Sequence, residues 1–384
     1  MRRGLCSRGK PGRLGRVMFW LVAAIAFAGC QHEPRDEAVK TDAAAPSSVP
    51  EAARRVLVVS NSQDPSSERI GTYYAKRRHI PDDHRLSISV SGENEVSLED
   101  YRAAIEGPVR EHLRRHGLAD EVDFIVLIRG VPLRIREGGY SVDAFLAAMD
   151  LDLDPIRDRS PESFRQPTNP YFARNVAFRK RDFGFYLVTR LDGYTPEDAM
   201  RLVDASLESR PNRGVFLFDV DPRYESAGYA RINRSMREAA RILRSRGLNV
   251  TLEDTRAFVG GERNLAGYYS WGSNDGSYQL EAYRSHRFLP GAIAETAVST
   301  SARTFRLVEG GQSLIADLIS AGVTGVKGYV SEPLTIALCP ADLLFDRYTS
   351  GYTLAESFYM ATPFLKWKDV VVGDPLCAPY RKGM

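Results

Sequence analysis

The chain is poor in cysteine and histidine. Only four cysteines occur in 384 residues. Cys6 and Cys30 fall in the first thirty positions, so Cys339 and Cys377 are the only pair left to the body, and two cysteines do not make a disulfide framework. The histidines are His32, His79, His84, His112, His116 and His286, and none stands in a recognisable metal spacing. His112 and His116 are four apart on a predicted helix, but Arg110, Arg114 and Arg115 surround them, which reads as a solvated face. No metal and no cofactor are expected.

Long apolar runs are also lacking. The longest, residues 17–27, is too short to span a bilayer comfortably. Before it stand Arg2, Arg3, Arg8, Lys10, Arg13 and Arg16 with no acidic residue, the layout of a secretory signal. The run closes on Phe27-Ala28-Gly29-Cys30, which resembles the lipobox that precedes a lipidated cysteine. Residues 1–29 are therefore expected to be a signal peptide and Cys30 a lipid anchor, because two acyl chains hold a protein on a membrane. Ordinary cleavage and an uncleaved anchor are the alternatives. Residues 30–53, polar and without period, read as a flexible tether.

No single sign of charge dominates. Without its first 29 residues the chain loses six of 52 basic side chains, leaving 46 against 49 acidic. With no basic stripe, no nucleic-acid partner is expected. The expected partners are a membrane, through Cys30, and an envelope protein, peptide or polysaccharide.

What is present is a repeated alternation of short β-branched runs and helical patterns, which argues parallel sheets with crossover helices. Strands are predicted at 55–60, 86–90, 122–128, 185–189, 215–220, 250–252, 265–271, 292–298 and 323–329. Helices are predicted at 66–78, 98–115, 196–208 (with Thr195 as N-cap), 229–246, 312–321, 341–348 and 353–361. The expected fold is α/β: two consecutive three-layer subdomains with mostly parallel sheets, 54–208 and 209–384. Residues 150–182 form a long connection without period, of the kind that is functional or flexible. Its acidic run at 150–155 lacks the glycine and terminal glutamate of a calcium loop and reads as solvated.

Chemistry in open α/β sheets gathers at the carboxyl ends of strands. Segments placed there are 129–133, 139–143, 190–193, 271–275, 299–303, 331–333 and 373–375, and the chain around them runs in the order IVLIRG, YSVDAF, LVTRLDGYTPEDA, VFLFDVD, YYSWGSND, AIAETAVSTSA, LISAGVTGVKGYV and VVGDPLCAPY. Their order over residues 55–380 resembles the two-subdomain catalytic unit of gingipain-type cysteine peptidases, relatives of the caspases. The resemblance implies a His-Gly after the strand that ends at Trp271 and a nucleophilic Cys after the strand that ends at Val298. This chain has Ser273-Asn274 and Ser299-Thr300 at those places, so the family's thiolate–imidazole chemistry is not expected. A nearer resemblance, on Trp271 to Asp275, Ser299 to Arg303, Gly328 to Pro333 and Gly373 to Leu376, is to an envelope-protein family of bacteria that carry exosortase, a proposed sorting transpeptidase linked to extracellular polysaccharide.

Two readings of the loops follow. In one, Trp271, Ser273, Asn274, Arg303 and Asp143 help form a rim that binds a sugar or peptide. In the other, Ser299, Asp275 and Glu332 serve a hydrolase with a non-cysteine active site. Against both stands a purely structural use, in which Asn274 and Asp275 cap turns, Trp271 fills core and Glu332 pairs with Arg303. His286, among Arg284, Ser285 and Arg287, reads as a surface residue. A Ser299–His286 pair is the sharper alternative.

Overall fold

Ten strands build one sheet in the order β2-β1-β4-β7-β13-β12-β11-β10-β8-β9. They are β1 (Val56–Asn61), β2 (Arg85–Ile88), β4 (Phe124–Ile128), β7 (Leu187–Leu191), β8 (Val215–Asp219), β9 (Asn249–Glu253), β10 (Leu265–Ser270), β11 (Phe288–Thr296), β12 (Gly325–Tyr329) and β13 (Asp369–Gly373). The short strands β3 (Glu95–Val96), β5 (Arg134–Ile135) and β6 (Tyr140–Ser141) form a separate small sheet. This is a computed structural model, and it describes residues 49–381 apart from 159 and 212. The expectations for the signal segment, Cys30 and most of the tether lie outside the described residues.

The fold is α/β with a mostly parallel sheet. Every pairing in the large sheet is parallel except β12 with β13. Strands from 54–208 occupy one side and strands from 209–384 the other, with β7 meeting β13 where they join. β4 is buried throughout, as its continuous apolar run requires for a strand covered on both faces.

The two faces follow from the alternation of side chains along a strand. A Cβ at Gly267 would meet Phe345 of helix Ala341–Thr349 at 2.6 Å, so that helix lies on the Gly267 face with Phe216 and Phe218. The adjacent Tyr268 points the other way, toward Tyr283 of helix Leu280–Arg284. Helices Ala227–Ser245 and Leu354–Met360 pack with Ala341–Thr349. Ile315–Ser320 packs with Leu280–Arg284 and with Pro196–Glu208, which in turn packs on Pro65–Arg78. Three layers result. Among the described residues no helix is long and apolar enough to cross a membrane.

Several local expectations are met and others are corrected. Thr195 caps Pro196–Glu208 in a reciprocal capping box with Asp198. The helix expected over 98–115 is broken into Leu98–Tyr101, a π-helical turn Arg102–Glu106 and Gly107–His116. Pro108 has no N–H to donate and its ring crowds the carbonyl four residues earlier, so the helix widens there. The connection 150–182 is packed rather than loose. Phe164, Tyr171 and Phe178 are buried, and Asn169 donates to the carbonyls of Tyr359 (2.8 Å) and Thr362 (2.7 Å).

Candidate functional site

The loops after β10, β11 and β12 meet at one edge of the sheet. β10 pairs with β11 and β11 with β12, all parallel, so their carboxyl ends point the same way. A chain of hydrogen bonds ties the loops together. Asn274 Nδ2 donates to the Ala297 carbonyl (2.7 Å), Gln312 Nε2 donates to Asn274 Oδ1 (3.1 Å), and Thr300 Oγ1 donates to Gln312 Oε1 (2.7 Å). Gly272, at φ +51°, makes the turn that permits this, since a Cβ there would press on Val298 at 2.8 Å and Ser313 at 2.9 Å.

Between the loops lies a cavity of about 210 Å³ lined by Trp271, Asn274, Ser299 and Glu332, together with Tyr224, Tyr229 and the turn from Pro333 to Thr335. Trp271 is 2% exposed, so it is the wall behind the cavity rather than an open aromatic platform. Its Nε1 donates to Asn233 Oδ1 (2.8 Å), and Tyr224 stacks on it with ring centroids 4.1 Å apart. The open ring is Tyr229, 43% exposed, with its centroid 5.3 Å from that of Tyr224. Among the described residues Ser299 makes no side-chain hydrogen bond, and Glu332 uses one carboxylate oxygen, which accepts from the Leu334 N–H at 2.9 Å.

The other sequence candidates lie outside this cavity, each held by a structural bond. Ser273 clasps Ser313, its Oγ accepting from the Ser313 N–H at 2.9 Å. Asp275 accepts from Arg223 (2.9 Å) and from the Ser277 N–H (2.6 Å), and burial pushes its pKa up. Arg303 does not pair with Glu332. It spans its own loop, donating to the carbonyls of Thr300 (3.2 Å) and Gln312 (2.7 Å). Asp143, in helix Val142–Ala147, forms a buried two-bond ion pair with Arg190, one bond at 3.1 Å.

His286 is not a surface residue. It is fully buried, its ring 4.8 Å from that of Tyr268, and burial pushes its pKa down to about 4. It precedes β11 while Ser299 follows it. At about 3.3 Å per residue, the nine residues of that strand put the imidazole far beyond hydrogen-bond reach of Ser299. Cys339 and Cys377 are unpaired and buried, and burial raises the pKa of each thiol. Neither is an activated nucleophile. Among the described residues, no group of three His, Cys, Asp or Glu side chains could hold a metal.

On the strands that lead to the cavity, Tyr269, Glu295 and Lys327 stand in register. All three are fully buried. Lys327 Nζ lies 3.4 Å from Cys339 Sγ and 3.7 Å from Asp369. Among the described residues neither Glu295 oxygen has a partner at good hydrogen-bond geometry, although Cys339 and Tyr329 lie close, and burial pushes its pKa up to about 8 against the pull of Lys327.

Sequence reasoning missed Tyr224 and Tyr229. Tyr224 follows β8 in the segment DPRYES, a strand-end loop of the kind that carries function, and that placement was the available signal.

No family model matches the chain, and no curated protein matches it. A solved structure named "Structure of Protease" is similar over 85% of this chain and 78% of that one, at 12% sequence identity and a TM-score of 0.46.

Proposed function

We propose that this chain is a lipid-anchored envelope protein that binds a saccharide or peptide segment in the cavity at the ends of β10–β12 without cleaving it. Its framework is read as an inactive cysteine-peptidase-like fold, and its role as an accessory component of an exosortase- and extracellular-polysaccharide-linked surface pathway. The sequence supports the anchor through Cys30 and the pathway through the segments that resemble the exosortase-associated family.

One observation carries the binding reading. The cavity holds unused acceptors, the Ser299 hydroxyl and the second oxygen of Glu332, beside the exposed ring of Tyr229, while the local imidazole is at the far end of β11. An aromatic face flanked by a carboxylate and a hydroxyl suits a ligand that offers a flat apolar side and hydrogen-bond donors. The hydrolase reading rests on Ser299 and Glu332 sharing that cavity, but Asp275, its other carboxylate, is held by Arg223 outside it.

The test is retention of the chain on immobilised oligosaccharides released from the cells' extracellular polysaccharide, beside immobilised envelope peptides. Retention on one of the two, lost in Glu332→Gln and Tyr229→Ala, is the expected result. Retention unchanged by both substitutions, or absent from both supports, sinks the binding reading. For the anchor, Cys30→Ala is expected to move the protein from the membrane to the soluble fraction. Lipid labelling that survives this change would contradict it.

A further inference from the structure

The acidic run at 150–155 does not hang free in solvent. Asp150 is bridged by Arg110 (2.7 Å) and Lys180 (3.0 Å), while Leu151 and Leu153 pack against the core. From Leu153 to Arg157 the chain forms one wall of a cavity of about 470 Å³, more than twice the volume of the one at β10–β12. Its floor is apolar, made by Tyr140, Phe145 and Met149. That size falls in the range of small-molecule sites.

The walls carry unusual backbone. Arg102 and Glu106, the two ends of the π-helical turn set by Pro108, both line the cavity, and such turns are frequent at functional sites. Lys366, also in the lining, has φ +50°, a conformation uncommon for a residue with a side chain.

Three cations and three carboxylates line the cavity, but they are not equally engaged. Glu106 is bound by Arg110 at 2.9 Å, and Glu137 accepts from the Leu98 N–H at 2.7 Å, so two of the three carboxylates are occupied. The side chains of Arg102 and Arg157 are exposed and, among the described residues, make no ion pair or hydrogen bond, against the single unoccupied carboxylate of Asp154. Lys366 donates to the Leu153 carbonyl at 2.7 Å, and burial lowers its pKa against the pull of Glu106, Asp154 and Asp152.

We infer that this cavity is a second binding site, for a single-chain amphiphile with an anionic head: the chain lies on Phe145 and Met149, and the head sits between Arg102 and Arg157. The site shares no lining residue with the cavity at β10–β12 and stands independently of it.

Equilibrium dialysis with decanoate, and with decyltrimethylammonium as the charge-reversed probe, tests the inference. Decanoate is expected to bind at one site about tenfold more tightly than the ammonium. The double variant Arg102→Glu, Arg157→Glu is expected to lose that preference, with an unchanged circular dichroism spectrum because both side chains are exposed. Glu332→Gln should leave decanoate binding as it is. Equal affinity for the two probes, or decanoate binding untouched in the double variant, overturns the site. So does an anion preference seen only as co-sedimentation with phosphatidylglycerol vesicles, which would assign the arginines to a bilayer surface.

Discussion

At the carboxyl ends of β4 and β7, Arg129 donates to Asp192 (3.1 Å) and to the Gly193 carbonyl, and Arg190 is closed in by Asp143 and by the carbonyls of Val131 (2.9 Å) and Pro132 (3.0 Å). The cavity there measures only about 90 Å³. At the ends of β10–β12, the Ser299 hydroxyl and one Glu332 oxygen remain unused among the described residues, beside an exposed ring. Both edges sit at strand ends, where chemistry is expected, and both are rich in polar side chains. The difference is unused hydrogen-bonding capacity: the first edge uses its charges to hold itself together, while the second leaves groups to offer a ligand. A polar residue at a strand end is a candidate; an unoccupied one is a stronger candidate.

The largest effect is expected where charge is buried and paired. Asp143→Ala strands the Arg190 guanidinium, which is fully buried, and should cost about 3–5 kcal/mol in urea unfolding. A cost under about 1 kcal/mol would erase the contrast between the two edges.

Next come the buried titrating groups under and behind the second edge. Folded, Glu295 keeps its proton up to about pH 8, whereas the unfolded group loses it near 4.5. Between those values the unfolded chain binds fewer protons, so stability falls as pH rises through the window. Glu295→Gln should remove this component, on the order of a few kcal/mol, from the pH dependence of unfolding. His286 acts in the other direction. Burial lowers its pKa from 6.5 to about 4, so the unfolded chain binds more protons between these values and stability falls on acidification. His286→Phe should flatten that acid limb by on the order of 3 kcal/mol. An unchanged acid limb would mean that the imidazole is not held neutral in the fold.

The smallest stability effects belong to the cavity itself. Glu332→Gln should shift unfolding by less than about 0.5 kcal/mol and Tyr229→Ala, which loses its contacts with Tyr224 and Trp271, by about 1 kcal/mol, because neither side chain is closed into the core. Larger shifts would place both residues with the structural edge.

The layer plan was legible because it rests on local patterns. Thr195-Pro196 announces a helix start, and the continuous apolar run of β4 announces a strand covered on both faces. The antiparallel β13 was hidden beside the Gly373-Asp374-Pro375 turn. Helix Val142–Ala147 was hidden because it is buried on every side and shows no apolar period. Site residues were legible by position but not by occupancy. Nothing near Trp271 in sequence reveals its bond to Asn233, 38 residues away, and nothing near Asp275 reveals Arg223. Tyr229 sits at the start of a long amphipathic helix, where an aromatic reads as core.

The central claim is that the edge at β10–β12 binds without a base to activate Ser299. Labelling of the folded wild type with a fluorophosphonate, beside Ser299→Ala, tests it most directly, since such reagents modify a serine only when a neighbouring group takes its proton. The expected result is no label on Ser299 at neutral pH. Stoichiometric labelling that disappears in Ser299→Ala would contradict the account and make this edge a catalytic one.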